Sequence, residues 1–490
     1  MIPEQVTTNL AHRYFGLGLL LVLFIVLGVW QALLIPFFQG PDEQVHYATV
    51  QYWAEPDEKT WPIHESTELN RSDDIRSYRF SEEIREAAYR LQFDEIKWQT
   101  TNTQIFVGNS PNGQFEQEIT DNTWKRYIDD YPVNASGTWS LYYYFGSKME
   151  SFFVSSSILN RIFFSRLFSL FIGTLTVLVA YAAARKLGWG SRLSALFASL
   201  VAFQPMFIAT SAIVNIDILL VFAFSLFFYG AINWLTGGTS SKSVCITLAA
   251  VGIGIFTKGP GVVLLALFPV LVAMVLYRHF QWDWRKHFLE GILALFTLTC
   301  LVFIFTPPHI LSDFLRLESV SAFSGPIASL SAYAEKTLSI SAFLWTTTTY
   351  WGSFGWLDAR LSEGIIRIIL AIETVAFFGL AWLLFDRNPP GFLPAKKVLL
   401  FAVLSIIFLQ FAIRFFDWRV FDATSKILIG TPGRYFLPNI IPHLLLIATG
   451  IGYWAGTKTR FILVIKTLSF LIFLLSLYSS WFIILPRYYL

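Results

Sequence analysis

With 490 residues, 55% of them hydrophobic and only 14% charged, and a mean hydropathy of +0.55, the chain has far too few charges to shield its apolar surface in water. An ordinary soluble enzyme is excluded. The net charge of +3 hides a division: Phe38 to Glu150 holds 20 acidic and 10 basic residues, so the remainder carries +13, an acidic soluble stretch joined to a basic membrane part.

A helix needs about 20 apolar residues to cross the hydrocarbon core. Phe15–Ile35 is the first such run and lacks a small-residue cleavage site, so it reads as a retained anchor. Further runs are Phe163–Ala184, Leu193–Ile208, Ile213–Leu235, Val244–Phe256, Val262–Tyr277 and Phe288–Phe305. Ile365–Phe385, Val398–Ile413, Tyr435–Ala455 and Thr467–Leu485 complete them. The sequence therefore predicts an all-α polytopic membrane protein of about eleven transmembrane helices. Its parts are a first span (1–37), an extracytoplasmic loop or cap (38–150), spans two to seven (151–305), a second outer loop (306–364) and spans eight to eleven (365–490). With the N-terminus inside, the inner turns hold fourteen cations, among them Arg185, Lys186, Lys396 and Lys458; the short outer turns and C-terminus hold six. The excess of positive charge inside selects this orientation, with the C-terminus outside, in the cytoplasmic membrane. Within the first outer loop, Ser81–Gln92 is helix-like and Asn109–Gly113 turn-rich. Cys245 and Cys300 lie in apolar runs with no ligand spacing and read as small apolar filler.

The first residues beyond helix one are Pro36-Phe-Phe-Gln-Gly-Pro-Asp-Glu-Gln-Val-His-Tyr47. Pro41 can open a helix, which places Asp42 and Glu43 at its N-terminus, where carboxylates are favoured. In such a helix Asp42 and His46 share a face. A carboxylate at the membrane boundary can take a proton from a hydroxyl or hold a divalent cation; the bland alternative is a capping pair on a solvated loop. Asn215 and Asp217 are polar groups at membrane depth near the outer face, a functional indication in themselves. Lys258, Arg434 and Arg166 fall at the same face, a set of cations suited to a phosphate at headgroup level, although each taken singly is equally an ordinary snorkelling side chain. The chain has no Walker loop, H-E-x-x-H, G-x-S-x-G or cysteine–histidine metal spacing, and no basic-aromatic stripe for nucleic acid.

Gln39-Gly-Pro-Asp-Glu-Gln-Val-His46 resembles the P-D-E-x-x-H signature of a bacterial membrane-protein family named only as domain of unknown function 2142. In the same order follow Arg166, Ser211 with Asn215-Ile-Asp217, Lys258-Gly-Pro260, Tyr350-Trp-Gly-Ser-Phe-Gly-Trp-Leu-Asp358 and Gly433-Arg-Tyr-Phe-Leu-Pro438. That family is similar to the glycosyltransferase C (GT-C) superfamily, which uses polyprenyl-phosphate-linked sugars and carries an acidic motif in the first outer loop. The resemblance implies a GT-C-like, inverting transferase of the cell envelope, acting on a glycan, lipid or protein acceptor. It implies Asp42 as base or metal ligand; the candidate catalytic set is Asp42, with Glu43 as the alternative base, and His46, which would orient Asp42 or share its proton. Lys258, Arg434 and Arg166 would sit at the donor phosphate, with Asn215, Asp217 and Tyr435 toward substrate. The only cofactor it admits is a divalent cation, Mg2+ or Mn2+. Residues between Tyr47 and Tyr142 show no motif that carries over. The competing readings are a lipid-linked glycan transporter or flippase, which would want ionisable groups at the bilayer midplane and repeat symmetry, an envelope polysaccharide polymerase or ligase, and a non-catalytic scaffold.

Overall fold

In lipid every backbone group must find its partner within the protein, so long apolar runs resolve as helices. The computed structural model describes residues 4–54, 80–98, 119, 140–280, 326–425 and 432–489. Helix α1 (Glu4–Leu34) leads to α2 (Glu43–Ala54), α3 (Glu82–Arg90), α4 (Phe93–Trp98) and α5 (Leu141–Phe152). Then come α6 (Ile158–Lys186), α7 (Ser191–Ala202), α8 (Pro205–Ser211), α9 (Asp217–Gly237), α10 (Ser241–Ile255) and α11 (Val262–Phe280). After these lie α12 (Pro326–Thr337), α13 (Ile340–Trp351) and a two-stranded hairpin, β1 (Ser353–Phe354) against β2 (Ala359–Arg360). The chain continues through α14 (Glu363–Phe385), α15 (Lys396–Thr424), a 3-10 segment (Gly433–Asn439), α16 (Ile440–Ala455) and α17 (Lys458–Ser479). A π-turn (Ser480–Ile484) and α18 (Leu485–Tyr489) close it.

Among the described residues, eight helices are long and apolar enough to cross a membrane, or nine if α7 and α8 count as one broken span. The expected eleven is therefore approximate. α10 is only 15 residues long, and Phe288–Phe305 lies outside the described residues, as do Asn109–Gly113 and Cys300. Cys245 is a free, exposed thiol. The 71° bend between α7 and α8 has a local cause. Pro205 can only begin a helix, and the buried Gln204 side chain accepts from the Phe207 N–H (2.6 Å) while donating to the Tyr350 carbonyl (2.6 Å). α14 and α16 meet at Gly379 and Gly450, where a Cβ on either would fall 2.0 Å from a carbonyl of the other helix. Phe378, Trp382, Phe411, Phe470 and Phe482 point outward, the face a lipid-embedded bundle presents.

The successive helices run back and forth, so two ends are defined. One end carries Asp42, Asn215, Lys258, the hairpin, Arg434 and Arg487. The other carries Trp189, whose indole donates to the Phe392 carbonyl (3.0 Å), and Asp386, whose carbonyl accepts from Lys396 (2.5 Å). Helices α2 to α5 pack over the first end. There the buried Arg161 bridges Glu83 of α3 and Glu150 of α5, and Tyr47 donates to Glu150 (3.1 Å).

Candidate functional site

Four charged groups gather at this end, and local chain chemistry places each of them. Helix α2 starts at Glu43, two residues later than the opening at Pro41 that the sequence suggested. Asp42 stands before it with φ of 60°, its carbonyl accepting from the N–H groups of Val45 and His46. A left-handed aspartate is uncommon, and such conformations concentrate at functional sites. Asp217 opens α9 and is fixed by Asn215, whose Oδ1 accepts the Asp217 N–H (2.7 Å); the Asn215 N–H is held in turn by the Tyr142 hydroxyl (3.1 Å). Lys258 rides the turn between α10 and α11. That turn is tight because Gly261 packs on Gly254, where a Cβ would come within 1.8 Å of the carbonyl. Arg434 follows Gly433, which donates to Thr349 Oγ1 (2.6 Å) and has no room for a Cβ beside the Thr346 carbonyl.

The charges are interleaved. Arg434 Nη2 contacts Asp42 Oδ2 (3.0 Å), and Lys258 Nζ contacts Asp217 Oδ1 (2.7 Å). The Tyr435 ring lies beside both cations, 5.1 Å from the Arg434 guanidinium and 5.2 Å from Lys258. Asp42 is about half exposed, 52%, while the Arg434 side chain is 11% exposed. Arg434 Nε and Nη1 are buried with no hydrogen-bond partner. Partial burial works to raise the Asp42 carboxyl, but attraction to Arg434, with Lys258 beyond it, outweighs this and holds it below the ordinary value. His46 is nearly buried and its Nδ1 lies 2.7 Å from the Tyr143 hydroxyl. Burial pushes it down to about 4 against the pull of Asp42, so it is neutral at pH 7. A small cleft opens here, lined by Gly40, Pro41, Asn215, Asp217, Ser353 and Arg434 together with the apolar Ile35, Met206 and Ile213.

The structure thus brings together Asp42, His46, Asn215, Asp217, Lys258, Arg434 and Tyr435. It does not bring Glu43 and Arg166 to the cleft. Arg166 is fully buried and spends all five donors inside the protein: two on Glu43 (2.7 and 2.6 Å) and three on the carbonyls of Ala32, Ile35 and Pro36. Glu43 also accepts the Val214 N–H (3.0 Å). This pair locks the first outer loop to α6 and to the turn before α9. Asp42 and Asp217, the two carboxylates suited to a cation, each already face a positive side chain, and among the described residues no group of three His, Cys, Asp or Glu gathers to hold a metal. Sequence reasoning overlooked the Arg161 cluster and Ser353. The signal for Arg161 was its charge within α6; Ser353 was in plain view in the Tyr350–Asp358 motif.

Among curated proteins, no sequence matches the chain. Of solved structures, the apo oligosaccharyltransferase of Archaeoglobus fulgidus aligns with 97% of this chain and 56% of its own, at 12% identity and a TM-score of 0.41. The chain thus spans little more than half that protein's length. Apo ArnT of Cupriavidus metallidurans aligns with 74% of this chain and 73% of its own, at 16% identity and a TM-score of 0.25. The family described as "Predicted membrane protein (DUF2142)" matches residues 24–444. The protein is therefore a member of this family of multi-pass membrane proteins.

Proposed function

We propose that the protein is an inverting membrane glycosyltransferase that moves a sugar from a polyprenyl-phosphate donor to a cell-envelope acceptor on the outer face of the cytoplasmic membrane. One observation carries this reading: the Arg434 guanidinium has two buried nitrogens, Nε and Nη1, without a partner beside a cleft. Buried donors left unpaired cost free energy, and charge-assisted hydrogen bonds to phosphate oxygens would satisfy them. The cleft is open at the end of the bundle where such a headgroup would lie. Cations dominate the opposite end, which supports its assignment to the cytoplasm.

In this reading the acceptor hydroxyl attacks the anomeric carbon as the bond from that carbon to the phosphate oxygen breaks. The bonding pair leaves on the phosphate, where Arg434 and Lys258 stabilise the charge. Asp42, kept ionised by Arg434, takes the hydroxyl proton. Tyr435 holds both cations in place, and Asn215 fixes Asp217, which positions Lys258. Neutral His46 orients the start of α2. Arg166 and Glu43 are assigned to the scaffold.

The test is turnover of radiolabelled sugar from native polyprenyl-phosphate donors by the reconstituted protein. Asp42→Asn keeps the shape and removes the base, so turnover should fall by about a hundredfold or more while donor binding survives. Full activity in Asp42→Asn would sink the assignment.

A further inference from the structure

The Tyr350–Asp358 segment has no place in the chemistry above, yet it forms part of the cleft. It holds β1 and the turn of the hairpin, in which Ser353 pairs with Arg360 and Phe354 with Ala359. Three neighbours immobilise it. Asp358 is bound by Arg487 of α18 (2.5 Å), and Arg487 also donates to the Ile96 carbonyl of α4 (2.7 Å). Asp358 also accepts the Trp356 N–H (3.1 Å), and the Trp356 ring meets Phe93 edge-on with Lys97 4.0 Å from its centroid. Gly355 sits at φ of 58° against the Tyr488 hydroxyl and Asp358, where any side chain would clash. At the first residue of β1, leading into this rigid turn, Ser353 lines the cleft, is fully buried, and its hydroxyl has no hydrogen-bond partner.

A rigid scaffold that presents an unsatisfied hydroxyl to a cleft is the signature of a preorganised ligand contact. The opposing chemistry decides which ligand group it meets. Arg434 supplies the charge for an anion, and apart from Arg434 and Asp217 the cleft lining carries no charge. It offers the neutral groups Ser353 and Thr210 and the apolar Met206 and Phe354. Neutral hydroxyls among apolar side chains suit a sugar ring, which presents hydroxyls at its edge and C–H groups on its face. We infer that the Ser353–Arg360 hairpin is the sugar subsite and that Ser353 is a specificity-determining contact to a sugar hydroxyl. The inference rests on the transferase reading above, with Arg434 at the phosphate.

The experiment compares binding of farnesyl phosphate with that of farnesyl-phosphate glucose, galactose and mannose to the full chain in nanodiscs. Wild type should bind at least one sugar-bearing lipid more tightly than farnesyl phosphate. Ser353→Ala should weaken that lipid by about threefold to tenfold, leave farnesyl phosphate unchanged and not lower Tm. Ser353→Thr, which keeps the hydroxyl, should retain part of the preference. Equal weakening of both ligand types in Ser353→Ala would place the hydroxyl on the phosphate and overturn the inference. Unchanged binding of both, or a wild type with no preference for any sugar, would overturn it while leaving the phosphate site standing. A wild type that binds neither ligand type would remove the transferase reading along with it.

Discussion

Two adjacent carboxylates meet different fates. Asp42 is half exposed and shares one contact with Arg434, while Glu43 is fully buried with two bonds from Arg166. Their side chains diverge because the chain turns left-handed at Asp42 just before the helix begins. The same pair therefore gives different outcomes when mutated. Glu43→Gln should destabilise the fold, since removing one member of a buried pair costs about 3–5 kcal/mol; thermal unfolding in detergent measures it, and an unchanged Tm would contradict the role. His46 gives a pH signature. Its folded value of about 4 lies below the ordinary 6.5, so the unfolded chain takes up the proton first as pH falls. Stability should drop between about 6.5 and about 4, by up to about 1.4 kcal/mol per unit. His46→Asn, which keeps an acceptor for Tyr143, should flatten the profile; an unaltered slope in this variant would show that another group titrates. Asp42 acts in a lower window, since its depressed carboxyl contributes above the ordinary 3.8 and loses that contribution only as pH falls further.

At the scale of the element, the apolar runs made most helices legible. Ser81 caps α3 as an N-terminal serine should, its side chain accepting from the Ile84 N–H. Asp42, Lys258 and Arg434 were visible as charges beside Pro and Gly where the apolar runs stop. The role of Arg166 was not legible, because its partners lie more than 120 residues away in sequence and only packing reveals that all its donors are filled. The bend at Pro205 was missed because the hydropathy of Leu193–Ile208 runs on across it, although the proline itself was the sign. The outer helices depend on charge rather than apolar length. Arg161 binds Glu83 and Glu150 together, so Arg161→Ala leaves two buried carboxylates without their cation, at about 3–5 kcal/mol. Limited proteolysis should then cut near α3 at protease levels that spare the wild type; equal resistance would mean that α3 is held by other contacts.

For the whole molecule, the site, the hairpin and the C-terminal α18 share one end, and Arg185, Lys186, Lys396 and Lys458 lie toward the other. The proposed orientation makes the first end extracytoplasmic. In a C245S/C300S background, a membrane-impermeant maleimide added to intact spheroplasts should label Glu363→Cys, at the exposed start of α14, and spare Lys458→Cys; the reverse pattern would invert the topology. In the proposed mechanism Arg434 receives a lipid-borne phosphate beside a carboxylate that does not bind it. The most direct measurement is the affinity of farnesyl phosphate for the purified protein in nanodiscs, across wild type, Arg434→Ala, Arg434→Lys and Asp42→Asn. A charge-assisted contact is worth about 1.5–3 kcal/mol, so Arg434→Ala should weaken binding roughly ten- to a hundredfold. Arg434→Lys should recover only part, because an ammonium does not reproduce a fork. Asp42→Asn should bind at least as well as wild type, having lost the competing carboxylate. Binding that survives Arg434→Ala but is lost in Asp42→Asn would contradict the account.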